Sequence, residues 1–112
     1  VRVSVCHCLA CQQRTGSVFG VQSRWPREQV RLEGAAKVYR RKGDTGLEVT
    51  FFFCPVCGTT VYWEIPGMEA FWAVAVGAFA DPAFPAPVIA IYEARRHDWT
   101  RDPDEVLQDH WD

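Results

Sequence analysis

The sequence predicts a mainly β domain of short antiparallel strands, closed or sandwiched, and three features carry that expectation. Apolar and polar residues alternate over several short runs, as they do along half-buried strands. Those runs are rich in Val, Phe, Tyr and Trp, which suit a pleated surface. Turn-forming Gly, Pro and Asp separate them at short intervals. The 112 residues, 48% hydrophobic and 23% charged, describe a globular chain with a thin core, not a disordered or low-complexity one. Residues 1–112 are therefore expected to make a single domain.

Arg2 to Val5 alternates and reads as a strand leading into a cysteine cluster. Gly16 and Ser17 punctuate the next segment. Val18 to Trp25 is a second strand, with Val18, Gly20, Gln22 and Arg24 on one face and Phe19, Val21, Ser23 and Trp25 on the other. Pro26 ends it, Pro26 to Gln29 suits one helical turn, and Val30 to Glu33 reads as a further strand. Lys37 to Arg41 and Leu47 to Phe53 flank Gly43-Asp-Thr-Gly46, a hairpin signal. Thr59 to Ile65 and Ala70 to Val76 are strands divided by the turn dipeptide Pro66-Gly67, and Val88 to Glu93 adds one more. The Trp, Val and Phe content of Ala70 to Ala80 favours strand over buried helix. Only the tail reads as helix, with Asp102 as N-cap, Pro103 first and Glu105 third. Trp63 and Trp72, inside β runs, are expected in the core.

Charge excludes some functions. The net charge of −2 leaves no basic excess to neutralise phosphates, so neither nucleic acid nor an anionic membrane surface is an expected partner. The longest uncharged apolar run falls well short of the ~20 residues of a membrane helix. Five cysteines, an odd number without a secretory signal pattern, argue for a reducing, cytoplasmic setting and against a disulfide framework.

Those cysteines fall into two groups suited to metal. Cys54-Pro-Val-Cys57-Gly58 places two thiols three residues apart between β runs, where Pro55 presets a turn and Gly58 permits positive φ. A redox Cys-x-x-Cys is the weaker reading, because such a pair opens a helix and Thr59 to Trp63 does not start one. In Cys6-His7-Cys8-Leu9-Ala10-Cys11, an extended backbone sends Cys6 and Cys8 to one side and His7 to the other, and Cys11 can close a third corner. Three thiolates around one ion leave a fourth tetrahedral position open, the arrangement expected of catalysis. Zn²⁺ with three thiolates is formally −1, which suits thiolate attack on an electrophile such as an aldehyde better than activation of water. In the loop that follows, Arg14 is suited to offset the thiolate charge or to hold a substrate carboxylate, and Thr15, Gly16 and Ser17 form the rest of the candidate substrate-binding stretch. Trp25, at a strand end, is a candidate pocket wall.

With both clusters in place, the chain resembles the glutathione-dependent formaldehyde-activating enzyme family, which includes centromere-protein-V-like proteins. The resemblance rests on Cys6-His-Cys-x-x-Cys-Gln12, Thr15-Gly-Ser17 with Phe19, and Phe53-Cys-Pro-x-Cys-Gly58. Ala75-Val-Gly77, Asp81-Pro82 and Trp99 extend it along the chain. It implies a β-tent (Mss-four-like) fold of small antiparallel sheets pinned by zinc. It also implies carbon–sulfur lyase activity, in which formaldehyde and glutathione combine to S-(hydroxymethyl)glutathione. Cys6, Cys8 and Cys11 then correspond to catalytic zinc ligands, and Cys54 and Cys57 to half of a structural site. The family's earlier Cys-x-Cys pair is not in this sequence: either it lies upstream of Val1, or Cys54 and Cys57 recruit other ligands, including the first three cysteines. The competing expectation is a zinc-stabilised interaction module without catalysis, since structural zinc contributes an apparent ~10–16 kcal/mol to folding.

Overall fold

The computed structural model describes residues 2–43 and 45–111. Seven strands form one hydrogen-bonded sheet in the order β3-β4-β5-β6-β2-β1-β7. They are β1 (Arg2–Cys6), β2 (Gly20–Pro26), β3 (Lys37–Lys42), β4 (Glu48–Phe53), β5 (Thr60–Glu64), β6 (Phe71–Ala75) and β7 (Ile89–Ile91). Strands β3 to β6 are a meander of consecutive antiparallel partners, and β6 then pairs antiparallel with β2, as β2 does with β1. The closing pair, β1 with β7, is parallel. The mainly β expectation therefore holds, with a single mixed sheet in place of the separate antiparallel sheets that the resemblance implied.

Strand register assigns each face its task. Phe51, Trp63 and Ala73 stand opposite one another across β4, β5 and β6 and form the buried core, with Val49, Ile65 and Ala75 packed around them. The same row continues through Arg24 to Arg2, so by alternation Cys6 projects from this core-bearing face. Its other side carries Val3, Ser23 and Trp72. There Phe52 stacks on Tyr62 with ring centroids 4.6 Å apart, and both meet the Trp72 ring edge-on. Trp63 and Trp72 are buried, as the sequence predicts.

Several elements depart from expectation. Leu9–Thr15 forms a helix, α1, where only a cysteine-bearing turn was expected. Val30 to Glu33 joins no strand; Val30 and Leu32 instead line a cavity with Trp25, Tyr62 and Phe79 on the second face. Beyond Ala75 the chain leaves the sheet in a 3₁₀ turn, Val76–Phe79, ended by Ala80 in the left-handed region at φ 49°. The tail helix exists as α2 (Pro103–Val106), begun by Pro103, but the Asp102 side chain makes no capping bond. The hairpin between β3 and β4 forms as its glycines predict, although Asp44 lies outside the described residues. Among the described residues, no helix is long and apolar enough to cross a membrane.

Candidate functional site

Three chain features bring Cys6, Cys8 and Cys11 together. Cys6 ends β1, and the His7 N–H donates to the Ile91 carbonyl at 3.0 Å, carrying the β1–β7 pairing one residue further. That extended backbone sends Cys6 and His7 to opposite faces. His7 is buried, 2% exposed, with its ring against Phe19 at 5.9 Å. Cys8, still extended at φ −61° and ψ 151°, is the N-cap of α1, and its Sγ accepts the Cys11 N–H at 3.2 Å. Cys11 then lies in the first turn of α1. The three sulfurs fall within 4.8 Å of one another, and His7 is outside the group.

This donor set can hold a metal ion. Sulfurs on one tetrahedral ion lie about 3.8 Å apart for a metal–sulfur distance of ~2.3 Å, a spacing small side-chain rotations reach from this geometry. An N–H pointed at the Cys8 sulfur is the kind of surrounding bond that steadies a thiolate ligand. Electrostatics favours thiolate as well. Cys11 is pulled from the ordinary thiol value down to about 5, first by hydrogen bonding from Cys6 and further by Cys8 and the Arg14 guanidinium. The same bond pushes Cys6 upward, with burial adding to it, so that without a metal the Cys6 thiol donates to a Cys11 thiolate.

Arg14 leaves the last turn of α1 and lies across the core row. Its guanidinium carbon is 4.5 Å from the Trp63 ring centroid and 5.5 Å from that of Phe51. Gly20 makes room for it: a Cβ there would stand 2.9 Å from Arg14 Nη2. Thr15 and Gly16 turn inward to the helix end. Thr15 Oγ1 donates to the Cys11 carbonyl at 2.8 Å and accepts the Ser17 N–H at 3.1 Å. Gly16, at φ 68°, caps α1 by donating its N–H to the Gln12 carbonyl.

Trp25 is elsewhere. It shares the face of Ser23, to whose Oγ its indole N–H donates at 2.8 Å, whereas Cys6 opposes Gly20 and projects to the other face. Cys54 and Cys57 are also apart from the trio. They sit at the β4–β5 tip, where Gly58 adopts φ 77° and donates to the Cys54 carbonyl, closing a tight turn. Cys57 is exposed, and a hydrogen bond from Thr59, 3.2 Å away, lowers its pKa. The recruitment of the first three cysteines by this pair is not seen among the described residues.

Two residues carry more than the sequence reading assigned them. Gln12, quoted above only as part of a motif, donates its side-chain amide to the carbonyls of His7 (3.0 Å) and Arg95 (3.1 Å), and its Oε1 lies 3.0 Å from His97 Nε2. Arg41 of β3 lines two clefts beside α1. One, of about 540 Å³, runs between Ala10, Gln13 and Arg14 of α1 and Tyr39 and Arg41 of β3. The other, of about 320 Å³, is bounded by Cys8, Ala10, Arg41, Leu47, Val49 and Ile91. No local motif marks Arg41; only the alternation along β3, which puts it on the face of Phe51, would have pointed to it.

A search of curated proteins found no match. The family model for the glutathione-dependent formaldehyde-activating enzyme matches residues 1–95, which include both cysteine clusters, α1 and all seven strands. Because that match spans most of the sequence, the chain belongs to the glutathione-dependent formaldehyde-activating enzyme family.

Proposed function

We propose that this protein is a zinc-dependent carbon–sulfur lyase of the S-(hydroxymethyl)glutathione synthase type, adding a small carbonyl compound to a thiol and releasing it in reverse. Family membership supports the glutathione and formaldehyde part of the reading. The observation that carries it is the convergence of Cys6, Cys8 and Cys11, with Cys8 at the wall of an open cleft. In the reaction a C–S bond forms between the thiol sulfur and the carbonyl carbon, the C=O π bond breaks, and the thiol proton ends on the new hydroxyl. No oxidant or reductant is consumed.

Cys6, Cys8 and Cys11 would hold the working zinc, whose chemistry is to stabilise a fourth, exogenous thiolate at its open corner. Cys54 and Cys57 would supply two ligands of a separate structural zinc. The chain's own groups do the rest. The stacked Arg14 guanidinium places positive charge beside Cys11 and offers its remaining N–H groups to the substrate. Thr15, Gly16 and Ser17 fix where α1 ends, and so where Arg14 emerges. Trp25 packs on the far face and takes no part. The five free thiols fit a reducing, cytoplasmic setting.

Metal analysis of purified protein, combined with the rate of hydroxymethyl-glutathione formation, tests the reading. Bound zinc and an accelerated rate that disappears in Cys8→Ser are expected. Bound zinc without acceleration would favour the interaction module, and protein that neither contains nor takes up zinc would overturn both readings.

A further inference from the structure

Phe51 carries two guanidinium groups. Arg41 of β3 stands 4.9 Å from its ring centroid and Arg14 of α1 stands 5.5 Å from it. Both arginines are half-buried, and in each the Nε is enclosed without a hydrogen-bond partner among the described residues. The ion pairs found among those residues join Arg27 to Glu64, Arg31 to Glu33, Arg40 to Glu48 and Arg96 to Glu93; Arg14 and Arg41 are in none of them. Two like charges beside one aromatic ring, partly withdrawn from water, repel each other and raise the local potential. A carboxylate between them relieves both effects and receives the planar forks in paired hydrogen bonds.

The clefts show how such a carboxylate would relate to the sulfur site. Ala10 and Arg41 line both; one is also lined by Arg14 and the other by Cys8. Their volumes, about 540 and 320 Å³, lie in the range of small-molecule sites. A ligand that spans both clefts would have its sulfur at Cys8 and its other end beside the two arginines.

We propose that Arg41 and Arg14 form a carboxylate clamp that selects low-molecular-weight thiols bearing carboxylates over neutral thiols. The proposal rests on the thiol-binding reading above and assigns the residues that recognise the carboxylate end of that substrate. Arg41 is the specificity-determining member, because it stands on β3, whereas Arg14 also acts on Cys11.

Calorimetry with S-methylglutathione, which keeps both carboxylates but has no free thiol to react, tests the clamp separately from catalysis. Arg41→Gln is expected to weaken binding by about tenfold or more, as loss of a charge-assisted hydrogen bond does. The diethyl ester of the same ligand should lose a similar factor on wild-type protein, a comparison that does not depend on how the variant folds. Ester and variant together should lose no more than either alone. Full-strength binding of the ester, losses that multiply, or no binding of S-methylglutathione at all would each overturn the clamp. Adduct formation with 2-mercaptoethanol, a neutral thiol, reports on the lyase reading. Turnover of that thiol with the same efficiency as glutathione overturns the clamp and leaves the lyase; turnover of neither thiol overturns the lyase.

Discussion

The guanidinium of Arg14 lies flat against the core, its carbon 4.5 Å from the ring centroid of Trp63. This stacking ties α1, which contains Cys11 and is capped by Cys8, to strand β5. The glycine at position 20 keeps the path open, since an added Cβ would stand 2.9 Å from Nη2. Gly20→Ala should therefore push Arg14 off the indole. A cation–π contact contributes about 0.5–2 kcal/mol, so a stability loss of that order is expected in urea denaturation, with a shift in tryptophan emission. In an Arg14→Met background the same glycine substitution should cost much less, because the unbranched thioether can move aside. Equal costs in both backgrounds would show that Arg14 is not what the glycine accommodates.

Cys8 has two roles that substitution can separate. Its sulfur belongs to the metal-capable trio, and it also accepts the Cys11 N–H at 3.2 Å as the N-cap of α1. Serine is a favoured N-cap, whereas alanine in that position costs about 1 kcal/mol. Cys8→Ser and Cys8→Ala should both abolish zinc retention at the trio. In chelator-treated protein, Cys8→Ser should match the wild-type unfolding midpoint while Cys8→Ala falls below it. Identical midpoints for the two variants would remove the capping role.

The sheet was legible in the sequence because its signals are local. Alternation marks β1 and β2, paired glycines mark the β3–β4 hairpin, and Pro66-Gly67 separates β5 from β6. Helix α1 was not legible for a physical reason: it has only seven residues, its Gln12-Gln13-Arg14 stretch shows no apolar stripe, and its N-cap is a cysteine. The left-handed Gly16 that ends it was the available clue. The extended reading of Val30 to Glu33 failed because β propensity describes a half-buried surface, which that segment finds by covering a face of the sheet without pairing to it. The parallel β1–β7 pair joins residues more than eighty positions apart, and no local pattern encodes it. The cysteine trio was legible from spacing and alternation, whereas the far-face position of Trp25 follows from register with β1, which had to be observed.

Acid should weaken the metal-free protein. Hydrogen bonding from Cys6 holds Cys11 at about 5, so between there and the ordinary thiol value of 9.0 the unfolded chain binds a proton that the native state does not. Stability from Cys11 is thus complete above that ordinary value and is lost as pH falls through about 5. His7, lowered from 6.5 chiefly by burial and secondarily by the charge of Arg96, acts in the same direction. Its neutral ring favours folding above 6.5, and that contribution is lost below it. Cys6, pushed upward, contributes stability that is present below the ordinary thiol value and lost above it. The urea midpoint of chelated, reduced protein should therefore climb between about pH 6 and about pH 8. A flat or falling profile would contradict the Cys11 thiolate.

Gln12 should act as the tether of the segment that follows β7. Its amide nitrogen bridges the carbonyls of His7 and Arg95, and its oxygen meets the ring of His97, so one side chain joins α1 to residues 95–97. Gln12→Glu keeps the size and the acceptor but removes both donors, leaving two carbonyls facing a carboxylate. A loss of about 1–3 kcal/mol is expected from those unmade bonds. His97→Ala removes only the third contact and should cost less. Hydrogen exchange distinguishes the tether from general destabilisation: in Gln12→Glu, amides of the 3₁₀ turns Glu93–Arg95 and Asp98–Arg101 should exchange faster while those of β4 and β5 keep their relative protection. Uniform acceleration across the sheet would mean that Gln12 supports the whole fold and not this one connection.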